Sequence, residues 1–282
     1  MLTCRKVAEL REQIGVLRRR EKSIGFVPTM GWLHEGHVTL VHESVARCGA
    51  TVVSIFVNPT QFGPREDFSA YPRDLARDMA MCEAAGVDIV FAPEADEVYP
   101  EGFQTNVEPG RLADALCGPF RPGHFRGVAT VVAKLFNMVQ PDVAFFGQKD
   151  YQQAAIIRRM VLDLNIPMEV VTLATVRESG GLAMSSRNAR LNADVRVRAA
   201  CLSRGLFAAR AAFDGGERSV ERLLSVARAE MGEADSVQYL ELVDAETLQP
   251  LGPTVDRPAV LAVAAFLGAV RLIDNVMLGS RS

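Results

Sequence analysis

Two histidines three residues apart, His34 and His37, with Gly36 between them, are the residues of this chain best suited to chemistry. Imidazoles titrate near neutrality, so each can hold or move a proton at physiological pH. The pair lies in Pro28-Thr29-Met30-Gly31-Trp32-Leu33-His34-Glu35-Gly36-His37. At that spacing both rings can meet one phosphate chain, and Gly36 permits close backbone approach. The spacing does not fit the helical zinc motif His-Glu-x-x-His, and no third ligand of usual spacing follows, so no metal chelation by the pair is expected. A lone histidine is ordinarily a surface or helix-start residue without a chemical task. Two of the chain's four histidines in one turn argue for a task.

The cations come from two further segments. Lys149 sits in Gly147-Gln148-Lys149-Asp150, and Met184-Ser185-Ser186-Arg187-Asn188 offers a cation and two hydroxyls. Neither a Gly-x-x-x-x-Gly-Lys-Ser/Thr loop nor a Gly-x-Gly-x-x-Gly after the first strand is present, so phosphates must be handled by the His turn plus these cations. Taken singly, each cation is an ordinary surface residue. Together with the turn they suit a nucleoside triphosphate.

The elements that must position these groups follow from hydrophobic periodicity. Val7, Leu10, Ile14 and Leu17 share one helical face over residues 4–20. Residues 23–28 read as a buried strand feeding the His turn, and Val38, Leu40, Val41 and Val45 mark the helix that follows. That helix should offer free N–H groups and a positive dipole end to an anion in the turn. Residues 51–57 are apolar and β-branched, as in a strand buried on both faces, and Pro59 then opens a loop. A helix over 73–86 and strand 87–91 come next, then a Gly- and Pro-rich stretch from Pro93 to Gly127. Helix 127–139, strand 143–146, a helix to about Leu164 and strand 168–173 complete an alternation that predicts a doubly wound parallel sheet. Its ligands should sit at the carboxyl ends of the strands. The polar clusters at 30–37, 58–62, 147–153 and 176–188 all follow a predicted strand.

Beyond Arg177 the pattern changes. Gly180-Gly181 reads as a flexible joint. Helices at 194–213 and 217–231 and strands at 237–243, 259–266 and 271–278 predict a smaller α+β domain beginning near residue 176.

The whole chain sets outer bounds. Its 282 residues suffice for one large or two ordinary domains, and a net charge of −3 gives no reason to expect nucleic-acid or membrane binding. Arg18-Arg19-Arg20 complements the C-terminal dipole of the first helix. Five scattered cysteines without a Cys-x-x-Cys pair argue for reduced thiols in a cytoplasm. The N-terminus lacks a signal-peptide core, and the longest apolar run, Ala259 to Val270, is too short to span a bilayer. No internal repeat or low-complexity tract is present.

Met30-Gly31-x-Leu33-His34-x-Gly36-His37 with Met184-Ser185-Ser186-Arg187 resembles the two signatures of the nucleotidylyltransferase superfamily and the related class I aminoacyl-tRNA synthetases. More closely, the chain resembles the pantothenate synthetase (pantoate–β-alanine ligase) family. The matching pieces are Pro28 to Gly31, Phe56-Val57-Asn58-Pro59-Thr60-Gln61-Phe62, Tyr71-Pro72-Arg73, Arg121-Pro122-Gly123-His124-Phe125-Arg126-Gly127-Val128, Phe146 to Gln153, Gly181 to Asn188, and Arg271-Leu272-Ile273-Asp274-Asn275. The match is dense from about 24 to 191 and thin beyond.

The resemblance implies an α/β fold, a Rossmann-like doubly wound parallel sheet with a second, smaller α+β domain. It divides the chain into a nucleotide- and pantoate-binding domain, 1–175, and a C-terminal lid domain, 176–282. It implies ATP-driven condensation of (R)-pantoate with β-alanine to pantothenate, AMP and diphosphate through a pantoyl-adenylate. The nucleotide would lie along Met30, Gly31, Trp32, Leu33, His34, Glu35, Gly36 and His37, along Gly147, Gln148, Lys149 and Asp150, at Val176, and along Met184, Ser185, Ser186 and Arg187. Gln61 and Gln153 would bind pantoate, Gln61 also β-alanine. His34 and His37 fall to the triphosphate, His37 as acid or donor to the transferred α-phosphate, with Lys149 and Arg187 neutralising phosphate charge. Mg²⁺ is implied by ATP, and Asp78 and Asp150 are the nearest carboxylates in the matched segments, neither assigned as a ligand. Two groups fit the task of deprotonating β-alanine, His37 and a phosphate oxygen of the intermediate. A homodimer in the cytoplasm is the family expectation.

One position departs from the family pattern, which has Asp where Gly180 stands. Two rivals compete with the ligase reading. Another adenylyl- or cytidylyltransferase acting on a phosphate ester would want an extra basic cluster, and a non-catalytic nucleotide-binding protein would be expected to lack His37, Lys149 or Arg187. A structural role finds no repeat, tail or coiled coil to support it.

Overall fold

Apolar runs alternating with amphipathic segments build two compact units in this computed structural model, which describes residues 1–64, 66 and 68–279. The first unit takes in Met1–Gly110, Phe120–Gly147 and Gln153–Ala174. The second takes in Arg111–Pro119, Gln148–Gln152 and Thr175–Ser282, so it gathers two short stretches that a single cut at 175/176 leaves with the first.

The first unit is a six-stranded parallel sheet. Its elements run β1 (Leu2–Cys4), α1 (Val7–Arg19), β2 (Ile24–Thr29), α2 (Glu35–Arg47), β3 (Ala50–Ile55), α3 (Leu75–Ala84), β4 (Ile89–Phe91), α4 (Ala95–Val98), α5 (His124–Val139), β5 (Val143–Gly147), α6 (Tyr151–Asp163) and β6 (Glu169–Leu173). The strand order is β1-β4-β3-β2-β5-β6. Successive residues of a strand face opposite sides, so β2 sends Phe26 into a core shared with α1 and α5, and Val27 into one shared with α2 and α3. Helices on both faces account for the near-continuous apolar runs of β2 and β3. The parallel sheet of the sequence reading is thus borne out.

The chain leaves β2 for β3 on one side and returns to β5 on the other, which makes the β2–β5 junction the topological switch point. A proline opens it. β2 pairs with β3 all the way from Ile24 to Thr29, but with β5 only at Gly25 and Phe26. Thr29 turns its carbonyl to Phe56 of the β3 side and Ile24 its carbonyl to Asp142 of the β5 side, so alternation places Pro28 toward β5. Pro28 has no N–H to continue that ladder, and the two strands part there.

In the second unit α7 (Ala193–Ala199), α8 (Cys201–Asp214) and α9 (Val220–Ala229) precede an antiparallel sheet, β7 (Ser236–Asp244), β8 (Ala259–Leu267) and β9 (Val270–Leu278), in the order β7-β8-β9. Leu202, Leu206, Leu223 and Ala227 of α8 and α9 cover the sheet residues Leu242, Leu261, Val263 and Val276.

Four local readings change. Residues 2–4 form the edge strand β1 beside β4, and the first helix starts only at Val7. The helix expected at 127 begins at His124, because Gly123 takes φ +79° and turns the chain into it. The helix expected over 194–213 breaks at Ala200 into α7 and α8, with neither Gly nor Pro at the break. Gly180-Gly181 is the turn of an ordered hairpin. Glu178 N donates to Leu182 O at 2.9 Å, Gly181 N to Glu178 O at 2.8 Å and Met184 N to Val176 O at 3.0 Å, with Arg177 bridged to Ala183.

No described helix is long and apolar enough to cross a membrane. All five cysteines are free, and burial pushes the Cys82 thiol up to about 12.

Candidate active site

The His turn begins where β2 ends. Thr29 is buried; its hydroxyl donates to Ser54 O at 2.7 Å and accepts Gly31 N at 3.2 Å. Gly31 then adopts φ +80° and Trp32 φ +50°. A Cβ on Gly31 would stand 2.9 Å from Asp78 Oδ2, so only glycine fits. Asp78, on α3 and 1% exposed, accepts Trp32 N at 2.7 Å and Leu33 N at 2.8 Å on its two oxygens. Burial raises the Asp78 carboxyl above its ordinary value, against the pull of those two N–H groups and of Arg77. Arg77 donates to Leu33 O at 2.8 Å, and its guanidinium lies 5.1 Å from the Trp32 ring centre. Leu33 itself packs into the core, so its side chain does not line a site.

His34 is the N-cap of α2, and the two histidines cap the helix together. His34 Nδ1 accepts Gly36 N at 3.2 Å and His37 Nδ1 accepts His34 N at 3.3 Å, with ring centres 4.0 Å apart. Two of the N–H groups at this helix start, those of His34 and Gly36, are thus taken up by the imidazoles. The chemistry moves to the rings. An Nδ1 that accepts carries no proton, so each neutral imidazole holds its proton on Nε2 as a donor. Met30 precedes the turn, Glu35 is exposed, and Gly36 lies in the first turn of α2.

Gln61 closes the 3-10 turn Pro59–Gln61 after β3. Its side chain is 7% exposed; Oε1 accepts Asn58 Nδ2 at 3.2 Å and Nε2 approaches Met30 Sδ at 2.8 Å. The structure thus brings Gln61 to the start of the His turn. Its backbone carbonyl accepts His124 Nδ1 at 2.8 Å and Arg121 Nη2 at 3.3 Å. Arg121 also donates to His124 Nε2 at 3.0 Å, so His124 is neutral with its proton on Nδ1. Glu66 pairs with Arg121; burial pushes its carboxyl up, but the guanidinium more than offsets this and leaves it below the ordinary value. A Cβ on Gly127 would stand 2.4 Å from Thr60 O, so α5 can approach this turn only with glycine there. Gln153 lies half-buried in the first turn of α6, and among the described residues nothing hydrogen-bonds to its amide. Gly147 is the last residue of β5, at the carboxyl end of the sheet.

The second unit holds the remaining predicted residues. Gln148–Asp150 form a 3-10 turn, where the Lys149 ammonium stands 3.7 Å from Asp150. Asn275 donates to both Gln148 O and Lys149 O at 2.9 Å. Val176 and Met184 face each other across the hairpin, which Arg177 braces by donating to Gly181 O at 3.1 Å. Ser185 caps the following 3-10 turn by accepting Arg187 N at 3.2 Å, Ser186 is buried, and Arg187 half-buried. Asn188 ties Glu178 to Ala183 O.

Several supporting residues had no role in the sequence reading. Asp78 looked like a solvated helix residue, and its partners are over forty positions upstream. Asn58, His124 and Arg121 stood in recognised motifs without a function. Gln152 differs from its neighbour Gln153 in being buried, where it holds Leu112 O, Ala115 O and Cys117 N. Among the described residues no cluster of three or more His, Cys, Asp or Glu suits a metal ion.

A doubly wound parallel sheet with a capped histidine pair at its switch point defines an α/β enzyme with a Rossmann-like core. The family model for pantoate-beta-alanine ligase matches residues 2–277. The chain belongs to that ligase family. It is 62% identical to pantothenate synthetase 1 of Bradyrhizobium diazoefficiens over 97% of this chain and 96% of that protein. It superposes on a pantothenate synthetase from Thermus thermophilus with a TM-score of 0.94 at 46% identity, covering 99% of this chain and 100% of that one. A pantoate-beta-alanine ligase from Francisella tularensis, complexed with beta-gamma ATP and beta-alanine, matches with a TM-score of 0.81 at 32% identity over 98% of this chain and 97% of that one.

Proposed function

We propose that the residues described above carry the family's reaction in this chain, the ATP-dependent condensation of (R)-pantoate with β-alanine to pantothenate, AMP and diphosphate. In the first step a pantoate carboxylate oxygen attacks the α-phosphorus of ATP and the bond to diphosphate breaks. A carboxylate with a pKa near ~4 is already ionised, so no base is needed. The barrier is one anion meeting another, and positioned donors and cations lower it. The observation that carries this reading is the mutual capping of His34 and His37, which fixes two Nε2–H donors at the carboxyl end of β2.

His37 donates to the transferred α-phosphate, His34 to the triphosphate, and Lys149 and Arg187 neutralise phosphate charge. Ser185 and Ser186 donate hydrogen bonds. The nucleotide runs along Met30 to His37, Gly147 to Asp150, Val176, and Met184 to Arg187, with Leu33, its side chain in the core and its backbone held by Asp78 and Arg77, shaping the turn. Gln153 offers its amide to pantoate; Gln61 serves pantoate and β-alanine from a turn already fixed. In the second step the β-alanine ammonium loses a proton, the amine attacks the acyl carbon, the acyl–oxygen bond breaks with its electron pair leaving on the phosphate oxygen of AMP, and the nitrogen sheds its second proton to become the amide. A phosphate oxygen of the adenylate takes the first proton, since His37 already carries one on Nε2 and its Nδ1 accepts His34 N.

Mg²⁺ accompanies ATP and would supply further neutralisation of the phosphates. Asp78 does not suit it, since both oxygens already accept backbone N–H groups; half-exposed Asp150 fits the one-carboxylate demand of such an ion. The second unit serves as a lid that shields the adenylate, a cytoplasmic homodimer being the working form. Light scattering tests the dimer, and a spectroscopic distance between labels on the two units that stays fixed on adding ATP and pantoate would remove the lid.

The deciding measurement is diphosphate release from ATP and Mg²⁺ with pantoate alone and then with β-alanine. Turnover that needs both acids and yields AMP supports the reading. ATP binding without turnover on pantoate sinks it.

A further inference from the structure

β9 carries two polar residues side by side, Asp274 and Asn275, and both are 3% exposed. Neighbours on a strand point to opposite faces, so a sheet with one covered face buries only one of such a pair. Here each has bonds that account for its burial. Asp274 receives the Arg177 guanidinium on two prongs, at 2.6 and 2.9 Å, and also accepts Asn275 N at 2.8 Å. Asn275 gives both hydrogens of its amide to successive carbonyls, Gln148 O and Lys149 O, each at 2.9 Å. Its own oxygen takes Gln148 Nε2 at 3.4 Å.

This is an unusual use of an amide. Two consecutive backbone carbonyls converge on one nitrogen, which requires a donor with two hydrogens and no competing lone pair. Serine has one hydrogen, and aspartate would set an anion against two carbonyl oxygens. The turn so held carries Lys149, whose side chain is only 18% exposed. A lysine delivers its charge to one place only if its backbone is fixed, because the stem itself is flexible.

We propose that Asn275 is a positioning residue for Lys149. It fixes the backbone of the 148–149 turn so that the ammonium is presented at one point, while the Arg177–Asp274 pair anchors the strand from which Asn275 reaches. The proposal rests on the reading of Lys149 as a phosphate-neutralising cation.

The test is a double-mutant cycle on the whole chain, read as kcat and KM for diphosphate release with ATP, pantoate and β-alanine. Asn275→Asp is nearly isosteric and reverses the donors; Asn275→Ser keeps one donor and serves if the aspartate fails to fold. Either variant should lower kcat about tenfold or more, serine less than aspartate, with KM for pantoate changed by less than about threefold. In a Lys149→Ala background the same substitution should cost no further loss beyond about twofold, because the residue it acts through is gone. Equal losses in both backgrounds, or wild-type kcat in the Asn275 variants, would overturn the proposal while leaving Lys149 in place. Wild-type kcat in Lys149→Ala alone would instead remove the Lys149 reading and this one with it.

Discussion

Asp78 and Trp32 meet through a 2.7 Å hydrogen bond from a backbone N–H to a buried carboxylate, and that bond holds Trp32 at φ +50°. The left-handed conformation is costly for an aromatic residue, so something outside the turn must maintain it. Asp78→Asn keeps the shape but sets an amide against one of the two N–H groups. It should cost about 1–3 kcal/mol in chemical denaturation and lower diphosphate release about tenfold or more, since both imidazoles hang on this turn.

His37 both caps α2 and carries a donor, and the two tasks can be separated. Asparagine can place an oxygen near the position of Nδ1 but has nothing at Nε2. Turnover should fall by orders of magnitude in both His37→Ala and His37→Asn, while His37→Asn keeps more of the roughly 0.5–2 kcal/mol that a cap contributes. Thermal melts beside diphosphate assays check this. Comparable activity in His37→Asn and wild type would take the α-phosphate donor away from His37.

The Glu66–Arg121 pair should show in the pH dependence of stability. The folded carboxyl titrates below its ordinary value, so its contribution is fully present above the unfolded pKa of ~4.3 and is lost as pH falls through the folded one. Glu66→Gln should therefore destabilise by on the order of 1 kcal/mol at pH ~7, with a gap that closes in acid. Denaturant midpoints of both proteins at the two pH values decide it. Because Arg121 also holds Gln61 O, the KM for pantoate should rise in the variant.

Gly180→Asp restores the carboxylate usual in the family. Gly180 has no left-handed φ, and nothing lies within 4 Å of an added Cβ. Turnover should stay within severalfold of wild type, and the melting temperature should hold or rise, since a residue other than glycine reduces unfolded-chain entropy by about 0.4–1 kcal/mol. A large loss of turnover would show that the hairpin needs glycine there.

Local pattern made the sheet legible. Ile24 to Val27 and Thr51 to Val57 are apolar runs too short for helices and bounded by turn residues, and the alternation that follows leaves few other folds. The His turn was legible because its residues are adjacent in sequence. What escaped depends on partners far along the chain. Three residues, Leu2 to Cys4, carry no period; only β4 makes them a strand. Gly180-Gly181 reads as loose until Asp274 grips Arg177 from nearly a hundred positions away. Asp78 reads as solvated, and Gln152 and Gln153 look alike, until the fold buries one of each kind of surface and leaves the other.

The Cys82 thiol has a further consequence. Only thiolates react readily with alkylating or disulfide reagents, and at about 12 this group is almost wholly protonated at neutral pH, beneath the layer formed by α2, α3 and the sheet. Its labelling must wait for that layer to open. The rate of Cys82 modification is therefore a built-in clock for opening on the side of the sheet that carries the histidines, and ligands that tighten the turn should slow it.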